Sequence, residues 1–403
     1  MRRKLQSDWM LDLNETTPGR PDDIGGAPKA FRFFDNREKY LLFVTTCSEK
    51  WAVADRVGHE LRHLKPSPPA LRVFDAGMGD GSVLTRVLRE MHCRFPTIPF
   101  QVVAKEISLE DVRLSLDKIA DRMLEHPATV FVATNLYYSE APALRPRDPA
   151  KLKDFNWLEL PLKGRTSHEF DEQLREVQSK LADIWQTRTS PKTGNPLYAK
   201  PSALVIYRED QRFVLDQVIP RPDPVRFEDI TPAYDLIIAS QPYRARQPAE
   251  FKVDKVLGPL AKSLAPNGRM IVIQSAGRDP GMEIVHGLWP DERPFATPAH
   301  MLVTTMRDML AQSDPDLKYD EQGETGSLFR FHLHALPSEL GESIGTSTLL
   351  AAWNAAVYVA QIEDRRLTEA MTDSKYLDVT ADVLRRNGGL WFLDEAFVVY
   401  RPG

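Results

Sequence analysis

The chain has 403 residues, 42% hydrophobic and 27% charged, with a net charge of −5 and a pI near 6.0. That length can bury a large core and suggests two or three domains. The acidic balance gives no global pull toward nucleic acid or an anionic membrane. The two cysteines, Cys47 and Cys93, lie far apart and form no metal-ligand or redox motif. The start, MRRKLQSDWMLDLNE, lacks the apolar core of a secretory signal, and no run is long enough to span a bilayer. A soluble, cytoplasmic protein is expected.

Residues 1–69 read as an arm followed by a helical segment. Up to Asp35 the chain carries many Pro, Gly and charged residues, the composition of a loosely held arm. From Arg37 to Leu64, Tyr40, Val44, Trp51, Ala54, Val57 and Leu61 recur at helical spacing, with Ser48 able to cap a second helix. Such a segment either packs on a sheet edge or closes over a ligand. The Lys65–Pro69 run then stops it.

Residues 70–140 carry the clearest pattern. LRVFDAGMGDGSVLTRVL, from Leu71, is an apolar strand ending at Asp75, then a turn with Gly77, Gly79 and Gly81, then an amphipathic helix. FQVVAKEIS is a second strand ending at Glu106, and Ser108 caps another helix. TVFVATN is a third strand ending at Asn135, followed by Leu136, Tyr137 and Tyr138. Strands alternating with helices at this spacing imply a doubly wound, mostly parallel α/β sheet.

The rhythm then breaks. Residues 141–231 read as an inserted subdomain, with a helix from His168 to about Gln186 and a hairpin formed by SALVIYRED and QRFVLDQVI. It could serve as a ligand lid, as an oligomerisation arm that would make a homodimer, or as neither. Residues 232–403 resume the sheet. YDLIIAS is the fourth strand, Ala265–Gly268 a turn, RMIVIQSAG the fifth strand and GRDPGMEIVHGLWPDERPF a loop. Helices starting at Thr297 and Thr346, a strand SLFRFHLHAL, a helix ending at Asn387 and a strand LWFLDEAFVVYR complete the chain. The expected architecture is a Rossmann-like, seven-stranded sheet.

Three readings of the glycine turn compete. A dinucleotide fingerprint needs a third glycine at position 82, where the chain has Ser82, and no Lys stands at the Walker offset. What remains is Asp75-x-Gly77-x-Gly79-x-Gly81, with an acid closing the second strand. This pattern resembles the class I S-adenosylmethionine-dependent methyltransferases. The resemblance covers Leu71–Asn135 and Tyr234–Gln274, four blocks in order. It implies that Asp75, Gly77, Met78, Gly79 and Gly81 meet the methionyl and ribose part of S-adenosylmethionine. It also implies that Glu106 bonds the ribose hydroxyls, that Asn135 and Leu136 lie by the adenine, and that Ser240 belongs to the same site. At the fourth strand the chain departs from amino-group methyltransferases of nucleobases and glutamine. It has Ser240-Gln241-Pro242-Tyr243 where those carry Asn or Asp, two prolines and an aromatic.

The expected activity is one-carbon transfer by in-line displacement to a nitrogen or oxygen of a small molecule, with Gln241 and Tyr243 orienting the acceptor. Tyr137 and Tyr138 could wall the sulfonium, and His286 and His300 are the histidine candidates for a base. The pairs His59/His63 and His332/His334 lack a third ligand at motif spacing, so no metal is expected. The alternatives are a non-catalytic binding or regulatory protein on this fold, an aminopropyltransferase-like enzyme lacking its fourth-strand carboxylate, and a nucleic-acid methyltransferase.

Overall fold

The computed structural model describes residues 37–403 except 192–195, 220–232, 321–326, 336 and 341–343. The expected N-terminal arm lies outside the described residues. Two helices come first, α1 (Arg37–Thr46) and α2 (Glu49–Leu61). The expected alternation follows: β1 (Leu71–Asp75), α3 (Ser82–Arg94), β2 (Phe100–Lys105), α4 (Leu109–Glu125) and β3 (Thr129–Thr134). Each strand is an apolar run too short for a helix, and each helix carries one apolar face.

The insertion joins the main sheet. After α5 (Pro149–Lys153) come β4 (Asn156–Leu162), α6 (Ser167–Ile184), the short pair β5 (Thr187–Thr189) and β6 (Pro196–Tyr198), and β7 (Ser202–Arg208). Strand β7 pairs antiparallel with β3, and β4 pairs parallel with β7. The expected hairpin partner QRFVLDQVI is instead a 3-10 turn and helix α7 (Arg212–Val218). Its apolar residues Val214, Leu215 and Val218 fall on one helical face and are buried.

The second half contains β8 (Tyr234–Ser240) and a helical stretch made of α8 (Ala249–Lys252), a π turn (Val253–Leu257) and α9 (Gly258–Ala261). Strand β9 (Leu264–Ser275) follows. The expected loop after it holds helix α10 (Pro280–Leu288), whose start is fixed by Asp279 accepting from the Met282 N–H at 3.0 Å. Next come α11 (Ala299–Leu310), β10 (Lys318–Asp320), β11 (Leu328–His332), α12 (Thr346–Val359), α13 (Asp364–Ala370), α14 (Lys375–Asn387) and β12 (Trp391–Tyr400).

The main sheet has ten strands among the described residues, not seven, in the order β10-β12-β9-β8-β1-β2-β3-β7-β4, with β11 also paired to β12. Strands β3, β2, β1, β8 and β9 are mutually parallel, and β12 enters antiparallel beside β9. The chain runs outward from β1 through β2 and β3, then returns to place β8 on the other side of β1. The carboxyl ends of β1 and β8 therefore flank a topological switch point, where open α/β sheets bind ligands.

Among the described residues three apolar clusters hold the layers. One packs α2, α3, α4 and α6 on one face of the sheet, and a second packs α7, the π turn, α9 and α11 on the other. The third joins α1, α10, α12 and α14 to Phe331 and Phe392 beside β9. It brings the first helix and the C-terminal helices over the carboxyl ends of the strands. No helix of the described residues is long and apolar enough to cross a membrane.

Candidate active site

The turn after β1 is a backbone device. Gly79 and Gly81 adopt φ of +54° and +75°, and Gly81 caps α3. Met78 N–H donates to the Lys105 carbonyl at 3.1 Å, which ties the turn to the end of β2. A Cβ on Gly81 would sit 2.9 Å from Ser115 Oγ and 3.1 Å from its Cα. Gly81→Ala therefore meets both the left-handed backbone and a helix that cannot move cheaply. We expect a loss of about 1–3 kcal/mol in stability, measurable by urea denaturation.

Helix α4 grips the same turn from the side. Ser115 Oγ donates to the Gly79 carbonyl at 2.9 Å, and Lys118 Nζ donates to the Asp80 carbonyl at 2.6 Å. Helix α1 covers it: Tyr40 hydroxyl donates to Asp80 Oδ1 and accepts from the Asp80 N–H, both at 3.1 Å. Although burial opposes ionisation of Asp80, Lys50, Lys118 and Ser82 outweigh it and hold the carboxyl down at about 2.

Glu106 sits just past β2 and accepts three backbone hydrogen bonds, from Gly79 at 2.9 Å, Ile107 at 2.7 Å and Ser108 at 2.9 Å. Of its roughly four lone-pair sites, capacity is left on Oε2. Its own carbonyl accepts from Trp185 Nε1 at 3.2 Å, so the end of α6 in the insertion helps to fix it.

These groups open onto one cavity of about 660 Å³. Gly77, Gly79, Glu106, Asn135, Ser240, Gln241 and Tyr243 all line it, as do Tyr137 and Tyr138. Four sequence-predicted residues do not. Asp75 is buried beneath the turn with Oδ1 accepting from the Gly77 N–H at 3.2 Å. Met78 and Leu136 point into the two faces of the core, and Gly81 lies against Ser115. His286 and His300 do not line the cavity either. Among the described residues no group of three or more His, Cys, Asp or Glu side chains could hold a metal ion.

The lining residues are unequally free. The Asn135 amide donates to the Lys200 carbonyl at 2.9 Å and accepts from the Ser202 N–H at 2.8 Å, so it is engaged with the insertion. The Tyr243 hydroxyl donates to Gln274 Oε1 at 3.0 Å, and burial pushes its pKa well above the ordinary phenol value. Gln241 is held at φ +49°, a strained value for a residue with a side chain, and its amide nitrogen donates to Ser275 Oγ at 3.0 Å. Its carbonyl oxygen is left as an acceptor.

Sequence reading missed the far wall. Tyr40, Phe43, Glu49 and Lys50 from α1 and α2, Phe331 from β11, and Tyr358 and Gln361 near the end of α12 all line the cavity. Lys50 pairs with Glu49 at 2.9 Å. Its burial favours the neutral amine, but Glu49 and Asp80 outweigh that and raise its pKa. Gln361 Oε1 accepts from the Ala245 N–H at 3.1 Å and thus braces the loop after β8. No motif marks these positions.

The carboxyls around the turn are poised near neutrality. Burial, with a contribution from Glu106, raises Asp75 to about 7, against the pull of Gly77 N–H and Lys50. Burial with Glu106 and Asp80 raises Asp111 to about 7, against Ser108 and Lys50.

No protein-family model matches the sequence, and no curated protein sequence matches it. Solved structures similar to the chain include the cyclase SpnF, at 11% identity over 93% of this chain and 99% of that one, with a TM-score of 0.36. Another is geranyl diphosphate methyltransferase in complex with GPP and sinefungin, at 10% identity over 87% and 78%, TM-score 0.30. A third is the plantazolicin methyltransferase BpumL in complex with SAH, at 10% identity over 91% and 87%, TM-score 0.29. Likeness at that level decides nothing about chemistry. The strand order with antiparallel β12 beside β9, the glycine turn and the second-strand acid belong to the chain itself, and they describe a mostly parallel, Rossmann-like α/β sheet with a glycine turn at its switch point.

Proposed function

We propose that the protein is an S-adenosylmethionine-dependent methyltransferase, moving a methyl group to a nitrogen or oxygen of a small-molecule acceptor. The observation that carries this reading is one cavity, sized for drug-like ligands, that collects the Gly77–Gly79 backbone, Glu106 and the Ser240–Tyr243 turn. When bound, the cofactor would supply an electrophilic methyl on a sulfonium sulfur.

The residues present fit that group. Glu106 has acceptor capacity for a ribose hydroxyl, and the turn offers bare backbone at the start of α3. Asn135 would border the adenine, and Lys50 would meet the methionyl carboxylate. Gln241 would accept a hydrogen bond from the acceptor's N–H or O–H and so aim its lone pair. Tyr243, tied to Gln274, would pack rather than exchange a proton. Both cysteines are free thiols, which suits a reducing, cytoplasmic setting.

The electrostatics set a test. A net-positive cofactor favours ionised Asp75 and Asp111, so protonating them must weaken it. Below pH 7, calorimetric affinity for S-adenosylmethionine should fall by up to about tenfold per pH unit for each carboxyl. The demethylated product, without the sulfonium charge, should fall less. With methyl-labelled cofactor, label should enter a small-molecule fraction of a cell extract and leave protein and nucleic acid unlabelled. No cofactor binding at pH 6 or pH 8.5 would sink the reading.

A further inference from the structure

The cavity's two sides differ in charge. Glu49, Glu110 and Asp111 line it from α2 and α4, with Lys50 paired to Glu49, and Glu106 lines it from the end of β2. On the side built by residues 137–139, 196–197 and 240–256, no carboxylate lines the cavity among the described residues, whereas Arg244 and Lys255 do. Lys105 lines it as well.

Lys105 ends β2 and is only 9% exposed. Its ammonium lies 4.6 Å from the centroid of the Tyr138 ring, and among the described residues it makes no hydrogen bond or ion pair. Tyr138 in turn donates to the Pro242 carbonyl at 2.7 Å, which sets this ammonium beside the fourth-strand turn. A buried charge without a counterion is costly, and a ring face offsets only part of that cost. Burial accordingly lowers the Lys105 pKa, with Glu106 opposing.

The cofactor does not answer this charge. Its sulfonium is itself a cation, and Lys50, already beside Glu49, is the lysine assigned to its carboxylate. Of the neighbouring cations, Lys255 pairs with Asp254 at 2.6 Å, and Arg244 has a partner of its own, although its buried Nη2 makes no hydrogen bond. A single buried ammonium without a hydrogen-bond partner matches a monoanion such as a carboxylate. Resting on the methyltransferase reading above, we propose that the acceptor is a carboxylic acid whose carboxylate binds Lys105. Tyr138, Phe251 and Tyr243 would then border its apolar body.

The probes are benzoate, cinnamate and indole-3-acetate, each paired with its primary amide and titrated calorimetrically into protein loaded with S-adenosylhomocysteine. At least one carboxylate should bind about tenfold or more tighter than its amide, the scale of one charged contact. Lys105→Met should abolish that preference while leaving S-adenosylhomocysteine affinity within about twofold, and Lys105→Arg should keep part of it. In wild type, side-chain NMR should show the Lys105 pKa rising by about one unit or more when the preferred carboxylate is added. This last readout needs no variant to fold. Equal binding of acids and amides, or a preference that survives Lys105→Met, overturns the proposal. Failure of S-adenosylhomocysteine to bind wild type would instead overturn the cofactor reading, and the acid–amide comparison can still be read on the unloaded protein.

Discussion

Glu106→Ala should weaken S-adenosylmethionine binding by about 100-fold or more, the combined effect of one lost charged acceptor and a disordered cradle. The carboxylate does two things at once. It would accept from the ribose, and it already holds the N–H groups of Gly79, Ile107 and Ser108. Removing it frees the Gly79 amide at the point where backbone must meet the cofactor, and it unties the start of α4. Glu106→Gln separates the two effects. The amide keeps an acceptor oxygen but loses the charge and one acceptor site, so it should retain affinity intermediate between wild type and Glu106→Ala. Calorimetry on the three proteins, with thermal unfolding alongside, checks this. Wild-type affinity in Glu106→Ala would remove Glu106 from the site.

That acid was legible because its evidence is local. Asp75, the three glycines and Glu106 lie within two strand–turn units, and strand, turn and helix each announce themselves by short-range pattern. The side chains at the same positions were less legible. Met78 and Leu136 sit in the right loops but turn into the core, since a loop that presents backbone to a ligand is free to bury its side chains. The far wall was illegible for another reason. Tyr40 and Tyr358 are 318 residues apart in sequence, yet their rings approach to 6.0 Å, and only tertiary packing makes them neighbours.

The extra strands follow the same logic. NWLELPL in β4 alternates weakly, is half-buried along most of its length and contains Pro161, which an edge strand tolerates. RFVLDQV is short and apolar, where strand and helix patterns coincide; burial of Val214, Leu215 and Val218 against the second cluster decided for a helix. Pro280 and Gly281 made α10 look like a loop, whereas Pro280 starts the helix and Gly281 admits the ring of Phe392, 2.3 Å from where a Cβ would stand.

Asp394→Asn should make the fold more stable than wild type at pH 8 and by much less at pH 4.5. Asp394 lies on β12 opposite Ser275 of β9 and is fully buried. Burial, then the carboxylates of Glu49 and Asp279, push its pKa well above the ordinary range, with Ser275 and Lys50 opposing. In the unfolded chain the same group titrates near about 3.9. Between that value and its raised folded value, the native state binds a proton that the unfolded state has released. Stability is therefore undiminished below pH 4 and falls as pH rises, by up to about 1.4 kcal/mol per pH unit for this one proton. Asparagine keeps the size and the buried polarity but cannot titrate, so the difference between the two proteins isolates the ionisation. Urea denaturation at several pH values measures it. Parallel profiles would mean that the carboxyl is ionised within the fold and held by a counter-charge. Glu49 and Lys50 line the cavity beside this group, so repeating the profiles with S-adenosylmethionine bound tests whether the added positive charge lowers the penalty.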